Sequence, residues 1–183
     1  MLANHLPRVP LGFFPTPLEE LTRLSKALGG PRIWMKRDDQ TGLATGGNKT
    51  RKLEFSLGEA LQQNAETLVT LGAVQSNHCR QTAAAAVRYG LRCVLVLRGY
   101  APQQVTGNLL LDHLLGAQVI FAGDRTREEV GDEVMEQLKA EAAAPYFIPV
   151  GASNAVGAMG FVAGMEELDS QFKQLNLKVD RVV

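Results

Sequence analysis

Between residues 67 and 150 the chain changes period repeatedly, and this alternation narrows the fold more than any other feature. Residues 67–71 are a β-rich run, 72–75 read as a loop, and 76–89 are Ala-rich and helical, closed by Gly90. Residues 93–97, Cys-Val-Leu-Val-Leu, form a continuous apolar run, the signature of a strand buried on both faces. A helix is predicted over 108–115 and a strand over 118–121. Thr126 with Glu129 then opens another helix through a capping box. Residues 146–150 are a further strand, and a long helix is expected from Gly157. Strands alternating with helices imply an α/β fold of open parallel sheets with helices on both faces.

The flanking segments are less regular. Thr16-Pro17-Leu18-Glu19 reads as a helix start, with Thr16 capping, Pro17 at the first helical position and Glu19 completing a capping box. Leu18, Leu21, Leu24 and Leu28 continue it as an apolar stripe up to Gly29-Gly30. Residues 33–37 are a short strand, and a helix should run from about Asn48 to Asn64. At the other end, residues 180–183 look like a strand that has just begun. Strands usually need five or six residues, so truncation or a split gene is the expectation, against a short edge strand at a natural terminus.

Composition excludes several classes of function. Lys plus Arg equals Asp plus Glu at 19 each, so no net charge points to nucleic acid or an acidic membrane surface. Two cysteines, Cys79 and Cys93, and three scattered histidines lack the spacing of a zinc site. No apolar run approaches the roughly 18 residues of a membrane span. Early prolines at 7, 10, 15 and 17 argue against a signal peptide, which leaves the cytoplasm as the expected compartment.

Three segments could carry chemistry. In Gly46-Gly47-Asn48-Lys49-Thr50-Arg51-Lys52, three cations crowd the positive end of a helix dipole. That placement suits a bound anion or an imine-forming lysine, with glycines that let backbone approach a ligand. A plain Gly-Gly turn with an exposed basic helix satisfies the same residues. The stretch from Gly42 to Thr50 also nearly matches the nucleotide-phosphate loop GxxxxGK[ST], but Asn48 is one residue too many. Gln75-Ser76-Asn77-His78 follows a strand and opens a helix, so it is either an N-cap or a carboxylate site. Gly151-Ala152-Ser153-Asn154, leading to Gly157-Ala158-Met159-Gly160, lies where ligands bind in open α/β sheets, or is a close-packed turn. Cys79 reads as a small buried residue rather than a thiolate.

Together these segments resemble one family. Residues 43–55 (Leu-Ala-Thr-Gly-Gly-Asn-Lys-Thr-Arg-Lys-Leu-Glu-Phe) and Gln75-Ser76-Asn77-His78 are similar to the D-cysteine desulfhydrase and 1-aminocyclopropane-1-carboxylate deaminase family. This is the tryptophan-synthase-β-like, fold-type-II branch of pyridoxal-phosphate enzymes. Phe14-Pro15-Thr16-Pro17-Leu18, Lys36-Arg37-Asp38-Asp39, Gly107-Asn108-Leu109-Leu110-Leu111 and Pro149-Val150-Gly151-Ala152-Ser153-Asn154 fit in the same order.

The resemblance implies pyridoxal 5'-phosphate as cofactor, with Lys49 as the catalytic lysine that links it. Asn48 and Asn77 would bind the cofactor, Asn77 through its phenolic oxygen. Ser76, Asn77 and His78 would hold the substrate carboxylate. It also implies a lyase that eliminates or deaminates a small amino acid, most simply D-cysteine to pyruvate, sulfide and ammonia. L-cysteate and 1-aminocyclopropane-1-carboxylate are the alternative substrates, and His78 favours D-cysteine because the cyclopropane deaminases carry glutamine there. Family members are nearly twice as long, and their glycine-rich phosphate loop follows the point where this sequence stops. The expected division is 1–55 in a large domain, 56–155 in a small domain and 156–183 returning to an incomplete large domain. A homodimer, a complementary C-terminal half and an inactive fragment are the expectations for assembly.

Overall fold

The computed structural model describes residues 5–183. Its centre is a four-stranded parallel sheet in the order β5-β4-β3-β6. The strands are β3 (Thr67–Gly72), β4 (Arg92–Leu97), β5 (Gln118–Phe121) and β6 (Pro145–Ile148). Joining them are helices α3 (Asn77–Arg88), α4 (Gly107–Leu114) and α5 (Arg127–Ala140). Each agrees with the sequence reading to within about two residues.

Side-chain alternation along β3 and β4 builds two separate cores. Leu68, Cys93, Leu95 and Leu97 face one way and pack with α3, with Leu109 of α4 and with Leu53 and Leu57 of α2 (Lys49–Gln62). Val69, Leu71, Val94 and Val96 face the other way, onto Val130, Val134 and Leu138 of α5. Both faces of the sheet are thus covered by helices, which is why β4 is a continuous apolar run. The capping box of α5 forms as expected, with Thr126 accepting from the Glu129 N–H and Glu129 reaching back to the Thr126 N–H.

The sequence reading fails around residue 18. Leu18–Glu20 is not a helix start but strand β1, antiparallel to β2 (Trp34–Lys36) with Leu18 opposite Lys36. Helix α1 begins only at Thr22 and ends at Leu28, with Gly29 closing it in the left-handed conformation. The apparent cap, Thr16, is fully buried, and its hydroxyl bonds Asp38 and Arg51 instead. The leucine stripe covers no core either, since no α1 residue is buried. Two other corrections are smaller. Pro149 stops β6 at Ile148, and residues 180–183 form no strand. Among the described residues, no helix is long and apolar enough to cross a membrane.

The last helix, α6 (Ala155–Gln174), packs along α2. Their backbones meet at Gly160, where an added Cβ would lie 2.3 Å from the Arg51 carbonyl oxygen and 2.6 Å from the Lys52 nitrogen. Neither atom can move without shifting α2. We therefore expect Gly160→Ala to destabilise the fold by about 1–3 kcal/mol through overpacking, despite alanine's better helix propensity. A urea midpoint equal to or above that of the parent would contradict this close approach. The expected domain boundary at residue 55 falls inside α2, so any division there shares one continuous helix.

Candidate functional site

The loop before α2 has an unusual backbone. Gly42, Ala44, Thr45, Gly46 and Gly47 all have positive φ. At Gly46 a Cβ would lie 2.0 Å from the Asp39 carbonyl oxygen, and at Gly47 it would lie 2.5 Å from the Gln81 side-chain nitrogen. The space on the Cβ side of these two glycines is therefore filled by the protein itself. The Thr41 hydroxyl sits at the centre of the loop, 2.9 Å from the Gly47 nitrogen and 3.0 Å from the Thr50 hydroxyl. Thr50 in turn donates to Gln81 Oε1 at 2.7 Å, and Gln81 Nε2 donates to the Asn77 carbonyl at 3.2 Å. A polar chain thus runs from the lysine loop to the start of α3.

The three cations at the head of α2 have different fates. Arg51 is buried and bonds Asp38 and Glu167. Burial lowers its proton affinity, but those two carboxylates outweigh burial and hold it above the ordinary arginine range. Lys52 donates to the Gly151 carbonyl at 2.8 Å and to Ser153 Oγ at 3.0 Å, with its ammonium over the Phe161 ring. Burial first, then the Lys49 charge, lower the pKa of Lys52. Lys49 is half-buried, and among the described residues its ammonium has no hydrogen-bond or ion-pair partner. Its Cε lies 3.5 Å from where a Cβ on Gly151 would sit, so the first and third motifs meet.

The second motif joins them at the start of α3. Ser76 is the N-cap, its Oγ accepting from the Cys79 N–H at 3.2 Å. The first-turn N–H groups of Asn77 and His78 have no carbonyl within the helix to bond. The Asn77 side chain is exposed and, like that of Asn48, has no partner among the described residues. His78 departs from the other members of its motif: the residue is 3% exposed.

The hydrogen bonds fix the His78 tautomer. Thr70 donates its only hydroxyl proton to the Ile148 carbonyl at 2.7 Å. It must therefore accept at 2.9 Å from His78 Nε2, which carries the ring proton. His78 Nδ1 is then a buried lone pair with no protein partner among the described residues. Burial, and after it the Lys49 and Lys52 charges, depress the His78 pKa to about 4, so the ring is neutral near pH 7. Cys79, the next residue, is buried and its thiol is pushed up to about 12 by burial, which leaves it protonated.

Several residues that shape the site carried no local sequence signal. Thr41, Arg80 and Gln81 act through bonds to segments between six and 34 residues away. Only the polar character of Arg80 and Gln81 inside an Ala-rich helix hinted at partners.

A family model described as "Pyridoxal-phosphate dependent enzyme" matches residues 9–183. The chain is 46% identical over its full length to a putative 1-aminocyclopropane-1-carboxylate deaminase of Pyrococcus abyssi, covering 55% of that protein. It is 48% identical to a D-cysteine desulfhydrase of Klebsiella pneumoniae, over 92% of this chain and 53% of that one. A crystal structure of an ACC deaminase homologue superposes with a TM-score of 0.87 at 39% identity, covering 93% of this chain and 52% of the other. The chain therefore spans about half the length of the curated relatives it matches. The structural match places the α/β fold described above among the fold-type-II enzymes.

Proposed function

Because this chain belongs to the pyridoxal-phosphate dependent enzyme family, we propose that it is the lysine-bearing part of a lyase that eliminates or deaminates a small amino acid. The carrying observation is Lys49, the one cation of the 49–52 cluster without a partner among the described residues. Its position beside Gly151 and near the start of α3 brings all three motifs to one place.

The residues present fit the cofactor. Lys49 offers a free amine, and Asn48 and Asn77 offer uncommitted side-chain amides. The unbonded N–H groups at the head of α3 suit a carboxylate. When bound, the cofactor supplies the electron sink for breaking bonds at the substrate's α-carbon. Lys49 Nζ would hold the cofactor and take the α-proton. Asn77 would donate to the cofactor's phenolic oxygen, with Asn48 beside Lys49. Ser76 and the Asn77 and His78 amides would receive the substrate carboxylate. The buried His78 ring acts from behind, through Thr70, on the strand end that carries this loop.

D-cysteine is the substrate this reading favours, on the strength of His78 and the desulfhydrase relatives. L-cysteate and 1-aminocyclopropane-1-carboxylate are the alternatives. In this reading residues 1–55 and 156–183 belong to a large domain and 56–155 to a small one. The working assembly would be a cytoplasmic homodimer, completed by a polypeptide that corresponds to the other half of the relatives' length.

The test is incubation with pyridoxal phosphate, borohydride reduction and peptide mapping. The expected result is a pyridoxyl group on Lys49 that Lys49→Ala abolishes. A reducible adduct that persists undiminished in Lys49→Ala would overturn the assignment. Sulfide release from D-cysteine, against ammonia release from the cyclopropane amino acid, then separates the substrates.

A further inference from the structure

Arg80 lies in the second turn of α3, 8% exposed, and faces two loops at once. Its Nη2 donates to the Gly46 carbonyl at 2.7 Å, within the lysine loop. Its Nη1 donates to Asn108 Oδ1 at 2.7 Å, at the head of α4. Asn108 is itself clamped to the substrate loop. Its Nδ2 donates to the Gln75 carbonyl at 2.8 Å, and its backbone nitrogen donates to Gln75 Oε1 at 2.9 Å. Gln75 Nε2 closes the bracket on the Thr106 carbonyl at 3.0 Å. One guanidinium therefore ties the loop before Lys49 to the loop before Asn77.

A buried acid lies in the field of this guanidinium. Asp112 of α4 is fully buried, and neither of its carboxylate oxygens has a hydrogen-bond partner among the described residues. Burial pushes its carboxyl up to about 7, and the Arg80 charge only partly opposes this. The other titratable groups that act on or beside this cluster are Cys79 of α3 and Cys93 of β4, both protonated thiols. His113 is exposed, and β5 carries no titratable side chain. Burial lowers Arg80's own proton affinity, and Asp112 opposes that effect. A buried cation kept at this cost, with both terminal nitrogens on loop acceptors, is a tether whose directions are fixed by a planar fork.

We propose that Arg80 is a positioning residue that holds the lysine loop and the Gln75–Asn77 loop at a fixed separation. The role of these two loops rests on the reading of Lys49 and Asn77 given above, but the tether does not.

The experiment is backbone amide exchange on the full chain without cofactor, comparing the parent with Arg80→Lys and Arg80→Ala. A lysine offers its donors from a single point, so it does not reproduce the two separated bonds of the planar fork unless the two loops move together. Exchange should accelerate at least ~10-fold at one loop in Arg80→Lys and at both in Arg80→Ala. Amides of β3 and β4 should stay protected as in the parent. Methylguanidinium added to Arg80→Ala should restore both loops. Unchanged loop exchange in both variants, or an equal loss of protection throughout the sheet, would overturn the tether.

A second readout tests its purpose. The rate of borohydride-trapped pyridoxyl formation on Lys49 should fall at least ~10-fold in Arg80→Lys. An unchanged rate would remove the link to cofactor capture. If the parent chain forms no such adduct, the cofactor reading has failed, and amide exchange still decides the tether.

Discussion

Replacing Arg51 with alanine should destabilise the protein by about 3–5 kcal/mol, the cost of breaking a buried ion cluster by removing its central charge. The Arg51 side chain is 3% exposed, while those of Asp38 and Glu167 are 20% and 15% exposed. Its guanidinium donates to both Asp38 oxygens at 2.7 and 2.8 Å and to both Glu167 oxygens at 3.0 Å. It also lies over the Phe14 ring, 4.4 Å from the centroid. Lys36 shares Glu167 and reaches the Thr16 carbonyl and Gln171 at 2.6 Å. Without Arg51, Asp38 would lose its cation, and Glu167 would keep Lys36 and the Thr16 N–H.

The loss should also be regional. The cluster links the β1–β2 hairpin to α2 and α6, with only a small share of apolar burial behind the hairpin. Urea unfolding of Arg51→Ala should therefore show a lower midpoint, and amides of the hairpin should exchange before those of β3. A loss under ~1 kcal/mol would mean that the cluster behaves as a solvated surface network. Acid should mimic the substitution in part. Burial raises the Glu167 pKa, but the bonds from Arg51 and Lys36 overcome this and lower it, so its contribution is present above the ordinary carboxylate range and is lost as pH falls.

A second large effect is hidden by cancellation. Burial raises the Asp112 pKa to about 7, with Arg80 only partly opposing it. The folded state then holds a proton that the unfolded chain has released, so stability falls as pH rises from about 4 to about 7. His78 has the opposite sign. Its pKa of about 4 lies below the unfolded histidine value, so stability rises between about 4 and 6.5. Between pH 5 and 6.5 each effect is on the order of 2 kcal/mol, and the two oppose one another.

The parent's stability should accordingly be nearly flat in this window. Asp112→Asn should expose the His78 slope, so that its stability rises with pH. His78→Gln should expose the Asp112 slope, so that its stability falls. Denaturant titrations at several pH values check both, because comparing slopes removes any constant packing cost of each substitution. Profiles for both variants that run parallel to the parent would show that neither group is shifted.

What was legible in the sequence follows a physical division. Residues 67–148 were readable because each parallel strand and helix carries its own pattern. β4 is apolar throughout because helices cover both its faces, and α5 carries its own capping box. The motif around Lys49 was equally legible as a recognisable run of types. Local signals misled at Thr16, whose cap-like position was outweighed by three-dimensional bonds to Asp38 and Arg51.

The amino-acid order by itself thus determined the alternating sheet, the helix carrying Lys49 and the family resemblance, since all three are written in neighbouring residues. Only the tertiary structure decided which of three adjacent cations is free. It did so because Asp38, Glu167, Gly151 and Ser153, far apart along the chain, converge on Arg51 and Lys52 and leave Lys49 uncommitted.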